Sequence, residues 1–235
     1  MAKKIFIDPG HSVTDPGAVG YAVERDLNEK TAAFMNEYLQ TTYVCETKVD
    51  PVSNRSLSAV AESANAWGAD LLVSIHNNAG GGDGYEALVY SEKTVPIGKI
   101  FEKYVKEIGQ NSRGVKLRPE LAVLRQSNMP AVLNEGAFVD NKKDIEDWNE
   151  DHELKKLGIA YAKAAAEYLN LEKKGATPAP DPVPTPAPAP AKVMYRVFNA
   201  AGKQVGAYSV EANAFNEVKK QLQAGGAAKI TLSEK

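Results

Sequence analysis

The feature that most constrains this chain is a segment in which every second residue from Pro178 to Pro190 is a proline. Seven prolines in thirteen residues leave no room for a helix or for an apolar face. Such a composition favours a polyproline II spacer, which is solvated, semi-rigid and extended at about 3.1 Å per residue. We therefore predict two domains, residues 1–172 and residues 192–235, joined by a linker over residues 173–191.

The composition excludes several classes of protein. With 235 residues, 43% of them hydrophobic, the chain is long enough to bury one sizeable α/β core. The single cysteine rules out an internal disulfide framework, and a formal net charge of -2 gives no argument for binding nucleic acid or an acidic membrane. No window is apolar enough to span a membrane, and the start, MAKKIFID, lacks the apolar run of an export signal. We expect a protein that stays in the cytoplasm or leaves it by an unusual route.

The larger predicted domain alternates strand and helix patterns in the α/β manner. The runs typical of strands are KKIFID, YVCETKV, DLLVSIH, YEALVY, LAVLR and AVLNE. The helical patterns are RDLNEKTAAFMNEYLQ, SLSAVAESANAWG, VPIGKIFEKYVKEIG and HELKKLGIAYAKAAAEYL. Because strands joined through helices usually run parallel, we expect an α/β fold with a twisted, mostly parallel sheet flanked by helices.

The C-terminal segment predicts a small ββαβ unit. Its strands are MYRVFN, QVGAYSV and AKITL, and its helix is ANAFNEVKKQLQAGG. At 44 residues it is smaller than a lone core comfortably supports, and pairing of two copies would relieve that shortage. Seven lysines or arginines and three glutamates give residues 192–235 a net charge of +4, whereas residues 1–172 carry -7.

Two of the three histidines stand at the ends of predicted strands. His11 follows the first strand and His76 closes DLLVSIH, so in a parallel sheet both reach the carboxyl edge, where open α/β sheets hold their ligands. Glu24 enters the helix after the first strand, thirteen residues beyond His11, and that helix begins near the same edge. Two imidazoles and one carboxylate are the ligand set of a catalytic zinc ion, Zn2+, with a fourth position left for water. His11, Glu24 and His76 are therefore candidate metal ligands.

Glu135 is the candidate catalytic residue, because it ends the strand AVLNE at the same rim. A carboxylate beside a metal site, but not bound to the metal, is placed to take a proton from water and pass it to a leaving amine. We also expect Asp8 and Asn78 to hydrogen-bond a ligand or the substrate, because metal-bound imidazoles need their second nitrogen held.

Other residues carry weaker signals. His152 begins HELKK, which lacks the second histidine of HExxH, so a capping or solvent role is favoured. Turn and helix-cap chemistry explains Asp15, Asp26 and Asp140 as well as metal binding does. The segment GGGDG, residues 80–84, lacks the lysine and the following helix of a phosphate-binding loop, and we expect a mobile loop beside the cleft.

A series of motifs follows in order between about residues 3 and 170: IDPGH, DPGAVG, ERDLNEK, SIHNNA, RGVK, LAVLR and MPAVLNEGAFVDN. Together they resemble the zinc-dependent N-acetylmuramoyl-L-alanine amidases of the third amidase class. The resemblance implies that His11, Glu24 and His76 bind zinc and that Glu135 is catalytic. It also implies the bond attacked, which is the amide between the lactyl group of N-acetylmuramic acid and the L-alanine of the peptidoglycan stem peptide. GHS stands where the family often has GHGG, but no required ligand is missing.

The C-terminal segment is similar to the repeats of sporulation-related, peptidoglycan-binding domains and to the tails of phage lysins. This resemblance, with the positive charge, implies attachment to anionic polymers of the bacterial cell wall. A structural cap or a dimer contact is the alternative. Within the amidase-like part, Arg113 and Arg125 either orient a carboxylate of the wall or are plain surface charges.

We expect a peptidoglycan hydrolase that acts on the cell wall, either a phage or prophage endolysin or a mother-cell lysis enzyme. Two rival functions stay open. One is another zinc peptidoglycan hydrolase, a carboxypeptidase or endopeptidase. The other is a metal-bearing wall adaptor without turnover.

Overall fold

The computed structural model describes residues 2–51, 58–175, 193–208, 211–224 and 227–234. It divides the chain into two compact units, Met1–Pro178 and Ala179–Lys235. The predicted polyproline II spacer lies outside the described residues. Among the described residues, no helix combines the length and the apolar character that crossing a membrane requires.

The larger unit contains six strands, six α-helices and one 3-10 turn among its described residues. The strands are β1 Lys3–Pro9, β2 Cys45–Val49, β3 Leu71–Asn78, β4 Tyr85–Val89, β5 Ser112–Leu117 and β6 Ala131–Phe138. The helices are α1 Glu24–Thr42, α2 Ala59–Trp67, α3 Val95–Glu107, α4 Ala122–Arg125, α5 Lys142–Asp147 and α6 Asp151–Leu169, and the 3-10 turn is Glu92–Thr94.

The six strands form one mixed sheet in the order β2-β1-β3-β6-β4-β5. Strands β2, β1, β3 and β6 run parallel to one another, whereas β4 runs antiparallel to β6 and parallel to β5. The prediction of an α/β fold with a mostly parallel sheet is confirmed. Because β1, β3 and β6 point the same way, their carboxyl ends meet at one edge of the sheet.

The two faces of the sheet are covered unequally. One face packs against α1, α3 and α6 and buries the main apolar core, to which Ile5, Ile7 and Val73 belong. The other face carries a smaller core packed against α2 and α4, with strand residues Phe6, Leu72, Leu88 and Leu133. Because side chains alternate between faces, His76 and Glu135 lie on this second face, beyond its apolar residues. A cleft at this end of the face is lined by His76 and Glu135.

Three short elements differ from the sequence prediction. The segment LAVLR, predicted as a strand, forms the single-turn helix α4, because a short apolar run has no period that separates strand from helix. The edge strand β5 was not predicted, since its residues are only partly buried and polar residues alternate within it. Helix α5 was also missed, although Asn141 caps it by accepting hydrogen bonds from the backbone of Lys143 and Asp144.

The smaller unit has the predicted ββαβ order. Its described elements are β7 Val193–Asn199, β8 Gln204–Tyr208, α7 Glu211–Gln223 and β9 Ala228–Glu234. The three strands form an antiparallel sheet in the order β8-β7-β9. Val197 on β7 and Ala214 on α7 are fully buried, while Phe215 and Leu222 are more than half exposed. The core of this unit is small, as expected for a segment of this length.

The close packing of α1 against α6 predicts the effect of a substitution at Gly158. A Cβ atom at this position would lie 2.7 Å from the carbonyl oxygen of Thr31 and 2.8 Å from the backbone nitrogen of Met35. Glycine to alanine normally stabilises a helix, but here the clash with backbone should dominate. We expect Gly158→Ala to lower the free energy of unfolding by about 1–3 kcal/mol.

Denaturant unfolding followed by circular dichroism measures this change. Lys156→Ala, at an exposed position of the same helix, is the matched control and should change stability by less than about 0.5 kcal/mol. If Gly158→Ala is as stable as the native protein or more so, the two helices do not approach as closely as described.

Candidate metal centre

The three predicted metal ligands come together at the carboxyl edge of the sheet. One ligand atom from each of His11, Glu24 and His76 can be chosen so that all three lie within 4.8 Å of one another. Nε2 of His11 and Nδ1 of His76 each lie 2.9 Å from the same oxygen, Oε1 of Glu24. The two imidazole rings meet edge to face with centroids 5.0 Å apart. The donor atoms therefore converge on one point from three different elements of the fold.

The backbone around His11 is shaped to present its side chain. His11 follows β1 with a φ of 75°, in the left-handed region that residues with a Cβ rarely adopt. Two glycines make room for the rings. A Cβ on Gly10 would lie 2.3 Å from the ring of His76, and a Cβ on Gly17 would lie 2.5 Å from both Glu24 and His11. The loop between β1 and α1 thus closes directly over the donor atoms.

The carboxylate of Glu24 is buried and its hydrogen bonds fix it in place. The residue is 4% exposed and opens α1, where the helix dipole favours negative charge. Oε2 accepts a hydrogen bond from the backbone of Ala18 at 2.9 Å, and Oε1 accepts one from the backbone of Asn77 at 3.1 Å. The loop before the helix and the strand β3 therefore both hold the same carboxylate.

A buried amide network, which sequence analysis missed, joins the segments that carry the three donors. The side chain of Asn28, one helical turn after Glu24, donates to the carbonyl of Gly10 at 3.2 Å. It also accepts a hydrogen bond from the side-chain nitrogen of Asn77 at 2.8 Å. Gly10 precedes His11 and Asn77 follows His76. The sequence signal for this network was Asn28 itself, a polar residue on the apolar face of a predicted helix, four residues after the candidate ligand Glu24.

Glu24 and the two histidines shift one another's pKa toward the charged forms. The hydrogen bond with Glu24, and then that with Asp15, raises the pKa of His11 to about 9. Burial alone would lower the pKa of His76, but its hydrogen bond with Glu24 and the nearby acids outweigh burial and raise that pKa. Burial works to raise the pKa of Glu24, yet the hydrogen bonds from both histidines hold it well below its usual range. Glu24 is therefore ionised at neutral pH.

The donor set fits a divalent metal of the zinc type. Tetrahedral zinc takes imidazole nitrogens and carboxylate oxygens at about 2.0–2.2 Å, which puts neighbouring donor atoms about 3.3 Å apart. Two of the observed separations are 2.9 Å, so an ion requires only a small outward movement of the rings. A site that already has a buried anionic oxygen between two imidazoles matches the chemistry of that ion.

The second nitrogen of His11 is held by Asp15. Nδ1 of His11 lies 3.1 Å from the Asp15 carboxylate, which also accepts a hydrogen bond from the backbone of Gly17. The sequence left Asp15 open between turn chemistry and metal binding, and it predicted that Asp8 and Asn78 hydrogen-bond a ligand or the substrate. Asp8 accepts a hydrogen bond from the Ser74 hydroxyl at 2.6 Å, and its charge contributes to the raised pKa of His76.

Asn78 lies in the cleft beside the cluster, where its side chain accepts a hydrogen bond from the backbone of Ala79. The Asp140 carboxylate accepts hydrogen bonds from the backbone N–H groups of Gly80 and Gly81 at 2.7 and 2.9 Å. The glycine loop beside the cleft is thus pinned by a side chain. His152 is exposed in the first turn of α6, where it pairs with Glu153, and it does not belong to the cluster.

Glu135 lies beside the cluster on the neighbouring strand. It pairs in register with His76 on β3 and with Glu86 on β4, so the three side chains share one face of the sheet. Its Oε2 atom is buried and has no hydrogen-bond partner among the described residues. Burial raises the pKa of Glu135 to about 7, although the positive charge on His76 offsets part of the rise. Glu135 can therefore exist in both protonation states near neutral pH.

A cleft of about 280 Å³ opens onto the cluster. His11, Glu24, His76 and Glu135 line its polar end. Its remaining lining residues are Ala18, Asn77, Asn78, Ala79, Leu88, Arg118, Leu121 and Leu133. The cleft is close to the size of small ligand sites and combines an apolar floor with a few convergent polar groups.

The arginines named in the sequence analysis have different partners. Arg113 and Lys116 on β5 both donate to the buried carboxylate of Glu86, and Arg113 also lies over the ring of Phe138. Arg125 donates to the backbone carbonyl of Glu120 at 3.0 Å. Arg118, which sequence analysis did not single out, is the arginine in the cleft.

Comparisons with known proteins agree with this geometry. The family model described as N-acetylmuramoyl-L-alanine amidase matches residues 5–167, and the chain belongs to that family. It is 35% identical over 183 residues to the N-acetylmuramoyl-L-alanine amidase CwlM of Bacillus licheniformis, covering 74% of this chain and 71% of the relative. It is 35% identical over 193 residues to the endolysin of Bacillus phage SPP1, covering 77% and 71% of the two chains.

A solved structure shows the same fold. The catalytic domain of CwlV, an N-acetylmuramoyl-L-alanine amidase from Bacillus (Paenibacillus) polymyxa var. colistinus, superposes with a TM-score of 0.68 at 25% identity. The match covers 72% of this chain and 99% of that domain. The family and the fold together support hydrolysis of an amide in peptidoglycan as the function of the larger unit.

The contacts of Gly17 predict that this residue is needed for metal binding. Alanine at Gly17 would place a Cβ against Glu24 and His11 and would also strain a φ of 68°. Gly109 has a comparable φ of 99°, but a Cβ there meets nothing within 4 Å. We expect both alanine variants to lose about 1–2 kcal/mol of stability from the backbone. Only Gly17→Ala should also weaken Zn2+ binding, by about tenfold or more.

Competition with a chromogenic chelator, at a temperature where circular dichroism shows both variants folded, measures the two affinities. Equal Zn2+ affinities for Gly17→Ala and Gly109→Ala would contradict the assignment of this loop to a metal centre.

Proposed function

We propose that the chain is a zinc-dependent N-acetylmuramoyl-L-alanine amidase, with His11, Glu24 and His76 as the metal ligands and Glu135 as the catalytic residue. The single observation that carries this proposal is the buried Glu24 oxygen within 2.9 Å of both imidazoles. Membership of the family supports the reaction, and the unpartnered oxygen of Glu135 beside the cluster supports its role.

The chemistry divides between the ion and the chain. When bound, zinc would act as a Lewis acid toward the amide carbonyl and would make hydroxide available near neutral pH. Glu135 accepts at Oε2 the proton that the attacking water loses, because a pKa of about 7 lets it both take and release a proton near neutral pH. It then returns that proton to the nitrogen of L-alanine as the carbon–nitrogen bond breaks. The products are the lactyl carboxylate and a free L-alanine amino group.

The surroundings of Glu135 set its protonation. Its neighbours across the sheet are His76 on one side and Glu86 on the other. Arg113 and Lys116 bind Glu86, which keeps the pKa of Glu86 below its usual value in spite of burial. Glu86 is therefore ionised and held in ion pairs with Arg113 and Lys116. Of the two neighbouring carboxyl groups, Glu135 is the one that can exchange protons with a substrate near neutral pH.

The C-terminal unit is proposed to bind the cell wall. The charge of +4 on residues 192–235 suits anionic wall polymers, and a linker would keep the catalytic unit close to an insoluble substrate. The endolysin relative favours a lytic role of the phage type, with synthesis in the host cytoplasm before release. Pairing of two copies through this unit stays a prediction.

Removing the proton carrier while keeping the metal tests the proposed function. We expect Glu135→Gln to lower the rate of hydrolysis of purified cell walls by a factor of about 10²–10⁴, with bound Zn2+ unchanged. Glu107→Gln, at an exposed position of α3, is the matched control and should retain native activity. Wall turbidity gives the rate, and a metal assay gives the occupancy.

Analysis of the released fragments separates the rival functions. An amidase creates new amino-terminal L-alanine and no new reducing sugar ends. Fragments cut inside the stem peptide would instead identify a carboxypeptidase or endopeptidase. Equal lysis by native protein and Glu135→Gln would show that the proton carrier is misassigned, and binding to walls without any cleavage would favour an adaptor.

A further inference from the structure

The sheet of the small C-terminal unit has one face that α7 does not cover. Val197 on β7 and Ala214 on α7 are both fully buried, and α7 packs against all three strands, so Val197 faces the helix. Because side chains alternate along a strand, Arg196 and Phe198 lie on the opposite face. Among the described residues of this unit, α7 is the only helix, so no helix of the unit covers that opposite face.

Strand register defines the uncovered face. On one side of β7, Lys229 of β9 is directly opposite Phe198. On the other side, Gln204 of β8 is opposite Phe198, and Nη1 of Arg196 donates a hydrogen bond to Oε1 of Gln204 at 3.3 Å, which places that end of the guanidinium over this face. The six described residues that share the face are Arg196, Phe198, Gln204, Ala207, Lys229 and Thr231.

The uncovered face is cationic. Arg196 and Lys229 are exposed, and none of the six residues is acidic. Phe198, directly opposite Lys229, is half-buried and offers apolar surface beside the charges. Helix α7 contains two lysines and two glutamates, so it is neutral, and the +4 charge of residues 192–235 comes from the rest of the unit. The charge of this unit therefore favours the sheet side over the helix as the surface for an anion.

The two cations are close enough to act on one extended ligand. Lys229 pairs with Phe198, which is two residues beyond Arg196, so Arg196 and Lys229 are diagonal neighbours on adjacent strands. Diagonal neighbours on one face of a sheet lie about 7–8 Å apart, within reach of long side chains. A linear polymer with a negative charge in each short repeat can contact both cations at once.

The chemistry of the cell wall separates two kinds of polymer. In peptidoglycan that carries its stem peptides, the lactyl groups are held in amides, so the glycan strand has no charge at those positions. A phosphodiester polymer carries one negative charge in every repeat. Arginine binds a phosphate through two parallel hydrogen bonds, and lysine binds it as a point charge. The uncovered face therefore fits the phosphodiester polymer better than the intact glycan.

We propose that the face formed by Arg196, Phe198 and Lys229 binds a linear phosphodiester polymer of the bacterial cell wall. This inference rests on the proposed wall-binding role of the C-terminal unit. Arg196 and Lys229 contact successive phosphates, and Phe198 packs against the carbon atoms of the repeat between them. The face thereby holds the chain on the wall through a polymer that the amidase reaction does not cut.

Titration of the full chain with soluble poly(glycerol phosphate) tests the inference. We expect the double variant Arg196→Gln/Lys229→Gln to bind this polymer about tenfold more weakly or worse, because two contacts with charged groups are lost. Arg196→Lys keeps the charge but loses the paired hydrogen bonds, and its affinity should fall between the two.

The double variant Lys219→Gln/Lys220→Gln is the matched control, because it removes the same charge from exposed positions of α7. It should weaken binding by less than about threefold, since exposed charges away from the contact contribute little. Hydrolysis of a soluble muramoyl tripeptide should be unchanged in every variant, because Glu24 and Glu135 belong to the other unit. Circular dichroism confirms that each variant is folded.

Each other outcome overturns the inference in a distinct way. Equal weakening by the two double variants would show that binding follows net charge and not this face, and unchanged binding by Arg196→Gln/Lys229→Gln would show that the face is not used. Tighter binding of the native chain to peptide-free glycan strands than to the phosphate polymer would show that the ligand is the glycan. In these cases the wall-binding role stands. If the native chain binds neither polymer, the proposed wall-binding role fails and this inference with it.

Discussion

The structure of the site depends on one buried carboxylate, that of Glu24, shared between two imidazoles. A charge at 4% exposure is costly unless its hydrogen bonds are complete, and here His11, His76 and two backbone N–H groups complete them. The arrangement has a consequence for metal binding. Because the Glu24 carboxylate raises the pKa of both imidazoles, protons would compete with a divalent ion for their nitrogens.

The fold supplies this carboxylate with its neighbours through strand direction. Parallel β1, β3 and β6 end at one edge, which brings His11, His76 and Glu135 together from residues far apart in the chain. The reversal at β4 then places Glu86 beside Glu135 on the same face. His76, Glu135 and Glu86 therefore stand side by side across three strands. The charges of His76 and Glu86 both act on the pKa of Glu135.

Much of this could be predicted from the sequence, because it follows from element order. Two histidines and a glutamate after predicted parallel strands imply convergence, and the described positions of His11, Glu24 and His76 agree with that reasoning. Loop conformation could not be predicted in the same way. The contacts of Asp15 depend on a left-handed backbone at His11, and those of Arg118 on a turn after a weakly patterned edge strand. The helix formed by LAVLR was misread for a similar reason, since four residues have no distinctive period.

X-ray absorption at the zinc edge of the Zn2+-reconstituted protein tests the central claim most directly. The account predicts one ion per chain with two imidazole nitrogens and one carboxylate oxygen at about 2.0–2.2 Å, and loss of this signature in Glu24→Gln. A shell with a sulfur ligand or fewer than two imidazoles, or an unchanged spectrum in Glu24→Gln, would contradict it.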